Sequence, residues 1–471
     1  MSNPSMPSPS VTVLEDSSCP EPELSQDFRL FESSLGQHLF VVDGSRIFDL
    51  DAATAEYLRV LLNNANEETT SKADEVRSVF SMPSGQPAIA PTPLSPPPLR
   101  SLSLNVAQSC NLGCRYCYAD EGGFLGKAQF MAQDVAEQAV DRLIAEAEPN
   151  VDLVVGFMGG EPLLNHQLVH HIAGYARRRG QESHHKVRFS ITTNGTLITS
   201  EDAALFSEYR FNVSLSLDGP QDINDRLRPT PNGRGSYAEV MKGIKHLQTQ
   251  PPAHTSARIT VTPQTGRLLP VLEHVLSLGV DDAGFAPVLV SPNPEYAFQA
   301  SDFKQFLEHM IECGEVCKQN LLRGKRFPFT NFETALNEIH RGSHRPYPCG
   351  AGAGYLSVNA QGKLYGCHRL VDDPNWEMGS IQQGSDYSAR TQHLQRSHVD
   401  SMEPCRTCWA RYLCGGGCYH EVSKRGRIAC DYIRGWLDFC LASYAELSTQ
   451  KPEYFLDPET YFVTSPEMMR Q

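Results

Sequence analysis

Six short β-prone runs, separated by stretches of helical periodicity, restrict most strongly what this chain can fold into. The runs are SLSLNV (101–106), VDLVVGF (151–157), VRFSITT (187–193), FNVSLSL (211–217), ARITVTP (257–263) and AGFAPVL (283–289). Six β-α units in succession predict parallel strands joined by right-handed crossovers. An open barrel and a doubly wound sheet both satisfy this pattern, and in either fold the functional loops follow the carboxyl ends of the strands.

Composition and pattern divide the remainder of the 471 residues into units. We expect a disordered tail that is rich in Ser and Pro (1–25), a hairpin-and-helix unit (26–80), a linker with seven prolines (81–99) and the β-α region (100–325). A Gly- and Cys-rich domain that depends on bound metal (340–445) and a C-terminal tail (446–471) follow.

The unit at 26–80 carries its own folding signals. Two β-prone runs flank Asp43-Gly44, which is a strong hairpin signal, and a helix follows with Asp51 as its expected N-cap. A second short helix is predicted to begin at Ser71, where the sequence resembles a capping box. The apolar side of the first helix is formed by Ala55, Leu58, Leu61 and Leu62.

Charge and cysteine usage restrict the partners and the compartment. The formal charge of -14 gives no basic surface for nucleic acid or an anionic membrane, so a protein or peptide partner is expected. The N-terminus lacks the features of a secretory signal and no apolar run is long enough to span a membrane, which predicts a cytoplasmic protein. In that reducing compartment, the fourteen cysteines indicate metal binding or catalysis rather than disulfides.

Three of these cysteines, Cys110, Cys114 and Cys117, follow the first predicted strand with the spacing C-x3-C-x2-C. Three thiolates bound to a four-iron cluster leave one iron open for a small molecule. The second strand ends in FMGGEPLL (157–164), where paired glycines allow the backbone to approach a ligand closely. Taken without its context, the three-cysteine loop could also be a structural metal site.

The cysteine spacing together with the GGEP sequence resembles the radical S-adenosylmethionine (SAM) superfamily over residues 100 to about 300. This resemblance implies an α/β fold with a partial (β/α)6 barrel, in which the three cysteines hold a [4Fe-4S] cluster. The open iron of that cluster would chelate SAM, and one electron would cleave SAM to methionine and a 5'-deoxyadenosyl radical. The cofactor carries this chemistry, while the protein orients it and excludes water.

The same resemblance implies SAM contacts elsewhere in the barrel. Tyr116 would lie beside the adenine, Ser216 would contact the ribose or carboxylate, and Arg228 would pair with the carboxylate. The methionine amino group would be received by Gly159, Gly160 and Glu161, and Asn194 is a weaker candidate. Two simpler interpretations stay open, namely that Ser216 and Asp218 only form a turn and that Arg228 is an exposed surface charge.

A second cysteine group lies at 349–430 and includes CRTCWARYLCGGGC (405–418). From the residues alone, zinc or iron-sulfur clusters would fit. The spacing resembles the cysteine-rich SPASM extension of radical SAM enzymes, which implies two auxiliary [4Fe-4S] clusters and therefore three clusters in the chain. One would be held by Cys349, Cys367 and Cys418, and the other by Cys405, Cys408, Cys414 and Cys430, the last preferred to Cys440.

One departure from the sulfatase-activating relatives is the serine at 343, where they have a cysteine. The first auxiliary cluster would then have three protein ligands and an open iron that could bind a substrate thiolate. The alternative is that Cys313 or Cys317 fills the place, although their i and i+4 spacing on a helix is typical of packing residues. His368, next to Cys367, is a candidate proton acceptor in catalysis, or a histidine satisfied by local hydrogen bonds.

The segments HRPYPCGAGAGYLSV, CWARYLCGGGCYHEV and CDYIRGWLDFC are similar to the maturation enzymes of quinohemoprotein amine dehydrogenase. That family cross-links cysteine sulfur to the methylene carbon of Asp or Glu in the dehydrogenase's small cysteine-rich γ subunit. The resemblance implies this peptide partner, a winged-helix-like peptide-recognition unit at the N-terminus, and a reductant such as flavodoxin or ferredoxin. The alternatives are maturation of another ribosomal peptide, oxidation of a sulfatase cysteine, and a metal-stabilised binding adaptor without activity.

Overall fold

The computed structural model describes residues 27–63, 75–76, 78–80, 95–119 and 128–456. The predicted tail at 1–25, the helix start at Ser71 and most of the proline-rich linker lie outside these residues, as does the chain beyond 456. The structure contains a small antiparallel sheet and a large mixed sheet.

The small sheet belongs to the N-terminal unit. Its strands are β1 (Phe28–Ser33), β2 (Gly36–Val41) and β3 (Arg46–Leu50), paired in that order and followed by α1 (Ala52–Asn63). The predicted hairpin is confirmed, and so is the N-cap, because the Asp51 carboxylate accepts a hydrogen bond from the Thr54 amide at 2.7 Å. Strand β1 was not predicted, and it buries Phe28 against the predicted face of α1.

All six predicted strands of the β-α region are present and parallel. They are β4 (Ser101–Gln108), β6 (Leu153–Gly159), β7 (Val187–Thr193), β8 (Asn212–Ser216), β9 (His254–Val261) and β10 (Asp282–Pro287); the short β5 (Gln129–Phe130) pairs with β4. Each strand lies beside the next one in the chain. This sequential order matches a partial (β/α)6 barrel and rules out the doubly wound sheet, in which the order reverses at a switch point.

Helices cover the outer side of this sheet and continue into the C-terminal region. In chain order they are α2 (Gln133–Ala145), α3 (His166–Glu182), α4 (Ser200–Glu208), α5 (Gln221–Leu227), α6 (Tyr237–Thr249), α7 (Leu268–Ser277), α8 (Phe303–Leu322) and α9 (Thr330–His340). The remaining helices are α10 (Tyr387–Ser397), α11 (Arg411–Cys414), α12 (Tyr419–Arg425) and α13 (Cys430–Gln450).

The two faces of the large sheet differ in chemistry. On the outer face, side chains such as Phe157 and Ile259 are fully buried against the helices. On the inner face, Gly156 lies between two serines, since a Cβ placed on it would be 3.1 Å from the Ser190 hydroxyl and 3.6 Å from Ser103 Cβ. Because strand side chains alternate between faces, the sequence of these strands produces an apolar exterior for the helices and a polar interior.

The cysteine-rich region is built onto the same sheet. Strand β11 (Tyr355–Val358) pairs in parallel with β4, and β12 (Lys363–Tyr365), β13 (Glu377–Ser380) and β14 (Gly384–Ser385) extend the sheet in antiparallel order. Leu356, Val358 and Leu364 are fully buried in the core shared with the barrel. The expectation that bound metal alone organises this region was therefore wrong for its first part, because β11 supplies an apolar core.

The chain past the barrel ends in the long helix α13, which packs against α8 and α9. The boundary placed at residue 446 falls inside this helix, and Phe455 beyond it is buried at 2% exposure. Arg29 of β1 donates two hydrogen bonds to the Asp438 carboxylate, at 3.1 and 2.7 Å. The N-terminal unit is thus joined to the C-terminal helix rather than to the barrel strands.

Candidate active site

The loop after β4 carries Cys110, Cys114 and Cys117, and backbone hydrogen bonds fix it against the segment that follows α5. The Gly113 amide donates to the Pro229 carbonyl at 2.8 Å, and the Arg115 amide donates to the Leu227 carbonyl at 2.9 Å. The Leu112 amide also points at the Cys110 sulfur, at 3.4 Å. The three thiols are therefore held on a backbone that is already ordered by its neighbours.

The end of β6 meets this loop through the glycine pair. A Cβ placed on Gly159, whose φ is +148°, would lie 2.3 Å from the Ala107 carbonyl oxygen, so only glycine fits. The Gly160 amide donates to that same oxygen at 2.9 Å, and the Glu161 amide donates to Ser109 O at 2.9 Å. The predicted GGE segment thus lies directly beside the cysteine loop.

Glu161 is fully buried, and its carboxylate binds protein groups. One oxygen accepts from the Leu163 amide at 3.0 Å and the Thr193 hydroxyl at 2.7 Å, and the other accepts from the Asn194 amide at 2.7 Å. Burial raises the pKa of this carboxyl to about 6, against the effect of these donors. The side chain therefore ties the end of β6 to the end of β7.

Asn194, the weaker candidate, contacts the cysteine loop directly. Its side-chain nitrogen donates to the side-chain oxygen of Asn111 at 2.8 Å and lies 3.8 Å from the Cys110 sulfur. Its own oxygen accepts from the Thr196 amide at 3.0 Å and from the Thr196 hydroxyl at 2.6 Å. Asn194 thereby links the loop after β7 to the first cysteine.

Tyr116, Asp218 and Arg228 form one buried network beneath the loop. The Tyr116 hydroxyl donates to the Asp218 carboxylate at 2.5 Å and accepts from Arg228, whose guanidinium is 3.7 Å from Asp218. The interpretation of Arg228 as an exposed surface charge was wrong, since 7% of it is exposed. Asp218 also accepts from the Thr260 amide at 3.0 Å, and the half-buried Ser216 ends β8 two residues earlier.

The protonation chemistry of the loop thiols fits a metal cluster. Burial raises the pKa of Cys110 to about 11 and that of Cys114 to about 12, although the nearby Arg228 cation acts in the opposite direction. Thiols held in this way stay protonated at neutral pH unless a metal replaces the proton. The arrangement suits iron ligation and does not suit a free nucleophilic cysteine.

The C-terminal cysteines lie close to one another. One cavity is lined by Cys405, Cys408, Cys414, Cys418 and Cys430. The thiols of Cys349 and Cys367 lie near Cys418. Burial raises the pKa of Cys349 to about 11 and that of Cys367 to about 12, and the neighbouring thiols add to this increase. Cys418 therefore stands between the two predicted cluster sites.

The other cysteines of the described residues are packing residues. Cys313, Cys317 and Cys440 are fully buried in the core between α8 and α13, and the Cys317 thiol donates to the Phe327 carbonyl at 3.0 Å. Neither Cys313 nor Cys317 is among the charged neighbours of Cys349. Their buried positions favour the packing interpretation over that of a distant fourth ligand.

His368 follows Cys367 and lies in a polar cluster that reaches the inner face of the sheet. Its Nδ1 is 3.3 Å from the Tyr355 hydroxyl and 3.7 Å from the Cys367 sulfur, and that hydroxyl is 2.8 Å from Ser103. Burial, followed by the nearby Arg369 and Arg258 cations, lowers the pKa of His368 to about 3. The imidazole is thus neutral and partly satisfied by local hydrogen bonds.

Sequence reasoning missed a charged group between the barrel and the second cysteine region. Arg369 donates to the Glu421 carboxylate at 2.7 Å, lies 3.6 Å from the Cys418 sulfur, and stacks 4.9 Å from the centre of the Tyr118 ring. Arg258 of β9 faces the same group. The signal available in the sequence was an arginine in an otherwise uncharged strand, ARITVTP.

Two properties of the described residues concern metal ions and membranes. Within the described ranges, no three His, Cys, Asp or Glu side chains are close enough to bind one metal ion. None of the helices in the described part of the chain has the length and hydropathy required to cross a membrane.

Comparisons with known proteins agree with this geometry. The Radical SAM superfamily profile matches residues 104–266. The serine-type anaerobic sulfatase-maturating enzyme of Klebsiella aerogenes is 26% identical over 364 residues, which cover 74% of this chain and 87% of that protein. The cysteine-type enzyme of Clostridium perfringens strain 13 is 25% identical over 340 residues, covering 68% and 89%.

Solved structures show the same fold. anSMEcpe with bound AdoMet superposes with a TM-score of 0.68 at 22% identity, covering 80% of this chain and all of that one. Streptococcus suis SuiB bound to its precursor peptide SuiA superposes with a TM-score of 0.50 at 15% identity, covering 86% and 97%. The match of the superfamily profile to the barrel, together with these likenesses, identifies the chain as one that carries a radical SAM domain joined to a cysteine-rich C-terminal region.

Proposed function

We propose that this chain is a peptide-modifying radical SAM maturase. Its reaction would join cysteine sulfur to the methylene carbon of Asp or Glu in the small cysteine-rich γ subunit of quinohemoprotein amine dehydrogenase. The observation that carries the proposal is that the loop after β4 holds three thiols while five further cysteines line one cavity of the C-terminal region. The sulfatase-maturating relatives, which by name also mature a protein, support the peptide substrate.

The first thiol group would hold the cluster that binds SAM, and when bound this cofactor supplies a radical that removes hydrogen from carbon. Tyr116, Ser216 and Arg228 would contact SAM, together with the backbone of Gly159, Gly160 and Glu161. Arg228 is well placed for this, since a buried guanidinium with donors beyond those used on Tyr116 can bind a carboxylate. Asn194 would orient Cys110 through its side-chain amide.

The two C-terminal groups would hold two auxiliary [4Fe-4S] clusters. Cys405, Cys408, Cys414 and Cys430 would complete one of them. Cys349, Cys367 and Cys418 supply three thiols to the other, so one iron would stay open to bind the substrate's sulfur. At Ser343, where the sulfatase-activating relatives have a cysteine, the amide donates to the Glu338 carbonyl and the carbonyl accepts from the Ser45 hydroxyl, both at 2.9 Å.

His368 would then accept the proton of the substrate thiol. Its Nδ1 is 3.7 Å from the Cys367 sulfur, while burial and the nearby cations lower its pKa to about 3, so the negative charge of a bound cluster would be needed to raise its basicity. The adjacent Tyr355 hydroxyl would keep the ring in place. This assignment is a proposal about catalysis, and the hydrogen bonds above also fit a structural role for the ring.

The N-terminal unit would capture the precursor peptide. Strand β3 lies at an edge of the small sheet, so an extended peptide can add to it as a further strand. Tyr57 and Val60 of α1 expose 45% and 63% of their surface and could receive apolar side chains of that peptide. A reductant such as flavodoxin or ferredoxin, and a cytoplasmic location, complete the proposal.

Mass spectrometry of the γ-subunit peptide tests the function. The cluster-loaded protein, SAM and a reductant should remove two hydrogens for each bond formed: one from the methylene carbon and one from the thiol. The carbon-sulfur bond uses one electron from each partner, and an auxiliary cluster, if held by the C-terminal thiols, would accept the electron left over. An unchanged peptide mass, with SAM still being cleaved, would contradict the assignment.

Sulfatase maturation is the second candidate, and the alignment to sulfatase-maturating enzymes over 364 residues favours it. The same assay, run with a sulfatase-derived peptide that contains the target cysteine, separates the two functions. Oxidation of that cysteine without a cross-link in the γ subunit would select sulfatase maturation. Iron analysis of anaerobically prepared protein addresses the adaptor alternative, since three cubanes predict about twelve irons per chain.

A further inference from the structure

The inner face of the barrel carries a cation whose use is unexplained. Arg188 and Asp282 lie near the amino ends of their strands and are paired, with Asp152 at 2.7 Å and His254 at 2.7 Å respectively. Arg258 lies farther along β9, in register with Ser216, the last residue of β8. This position places the Arg258 guanidinium near the carboxyl ends of the strands, where the candidate SAM contacts are.

The surroundings of Arg258 leave its guanidinium accessible from within the barrel. Its register partners are Ser216 on β8 and Gly284 on β10, both too small to cover it. The side chain is exposed to solvent, and the charged groups nearest to it belong to the barrel and to the second cysteine region. Among the described residues, none forms a hydrogen bond or close ion pair with this guanidinium.

The charged groups that face Arg258 do not neutralise it. They are Arg369, Glu421, Tyr118 and the thiol of Cys418. Glu421 is already engaged by Arg369 at 2.7 Å, and Arg369 itself adds a second positive charge. Burial and this neighbouring cation lower the pKa of Arg258. An accessible guanidinium that forms no hydrogen bond or ion pair with a described residue is free to bind an anionic ligand.

We infer that Arg258 binds the side-chain carboxylate of the Asp or Glu residue that is to be modified. A guanidinium and a carboxylate form two parallel hydrogen bonds, so the contact fixes orientation as well as position. Because the reacting methylene carbon is bonded to that carboxylate, holding the carboxylate at Arg258 places the carbon at the strand ends. That the bound anion is the Asp or Glu of the substrate depends on the proposed function. That Arg258 binds a carboxylate at all depends only on its unpaired guanidinium.

Equilibrium binding of two matched peptides tests the site. The cluster-loaded full-length protein, without SAM or reductant, is titrated against short fluorescent peptides that contain one cysteine and either Asp or Asn. We expect the wild-type protein to bind the Asp peptide about tenfold more tightly, and Arg258→Gln to bind both peptides equally. Arg258→Lys should keep part of the preference, because it retains the charge and loses the bidentate geometry.

Arg188→Gln is the matched control, since it removes an arginine from the same face at the opposite end of the sheet and should leave the preference intact. An Asp preference that persists in Arg258→Gln would overturn the inference. A loss of SAM affinity in Arg258→Gln without a change in peptide preference would also overturn it, because the guanidinium would then bind SAM rather than the peptide.

Cross-link formation measured on the same Asp peptide separates the two proposals. A preference that depends on Arg258 without any cross-link in the wild-type protein would leave the carboxylate site standing and contradict the proposed thioether function. A cross-link formed equally by wild type and Arg258→Gln, with no Asp preference in either, would contradict the carboxylate site alone.

Discussion

The two cysteine regions of this protein are built by different means. The loop at 110–117 follows a buried strand and is held by backbone hydrogen bonds to residues 227–229 and by the GGE segment. The group at 405–430 lies on short helices and turns, where the consecutive Gly415, Gly416 and Gly417 all have positive φ and Cys430 begins α13. The first site is positioned by the sheet before any cofactor binds, whereas the second is positioned by short helices and the turns between them.

This difference indicates at which of the two sites a bound cluster would stabilise the fold. In the barrel, a cluster would bind to a scaffold that is already folded, so its loss would remove chemistry and leave the fold. In the C-terminal region, Cys405, Cys408, Cys414 and Cys430 line one cavity, and a cluster there would add to the apolar core that Ala410 and Leu413 already join. Only the first part of that region, from β11 to β14, is anchored to the large sheet.

The largest effect should follow from breaking the second site. Cys414→Ala should remove about four irons per chain and unfold the turns around residues 405–430, because the cluster's binding free energy is part of their folding free energy. Iron analysis and hydrogen exchange measure the two losses. Cys440→Ala is the control: this thiol is fully buried away from the cavity, so the iron content should stay the same and stability should fall by only about 1 kcal/mol. Equal iron losses in the two variants would contradict the ligand assignment.

The next effect tests how the sheet positions the first site. Gly159→Ala would drive a methyl group to within 2.3 Å of the Ala107 carbonyl and should cost about 3 kcal/mol of unfolding free energy. It should also weaken SAM binding, because the end of β6 must move. Gly266 has a φ of +83° with open space around it, so Gly266→Ala should cost only about 1 kcal/mol. Thermal unfolding and SAM titration compare the variants, and similar costs would show that close approach to Ala107 is unimportant.

Sequence patterns predicted the barrel and the cysteine groups well because both depend on local information. Alternating apolar residues determined the six strands, and glycine and cysteine spacing located the loops. The sequence did not reveal that Tyr355–Val358 would add to β4, because that pairing joins segments about 250 residues apart. It also did not reveal that Arg228 would be buried against Tyr116 and Asp218, since burial of a charge depends on partners that only the tertiary fold brings together.

A smaller effect on stability, with a complete effect on activity, is expected from Cys114→Ala. The loop keeps its hydrogen bonds to Pro229 and Leu227, so the unfolding free energy should change by about 1 kcal/mol or less. SAM cleavage should be abolished, with a loss of about four irons and retention of about eight. Iron content, the yield of 5'-deoxyadenosine and thermal unfolding check the three parts. Unfolding of the barrel strands in this variant would contradict the view that the sheet positions the first site without the cluster.

The smallest effect concerns the contact between the N-terminal unit and the C-terminal helix. Arg29 pairs with Asp438 and lies 5.3 Å from the centre of the Trp409 ring, but about a quarter of its side chain is exposed, so the pair is partly screened. Arg29→Ala should therefore lower stability by about 1 kcal/mol and increase hydrogen exchange in β1. The exposed Arg59, paired with Glu56 within α1, serves as the control, and Arg59→Ala should have almost no effect. Release of iron by Arg29→Ala would instead show that docking of the N-terminal unit stabilises the second cysteine site. The cluster would then not be the only group that stabilises that site.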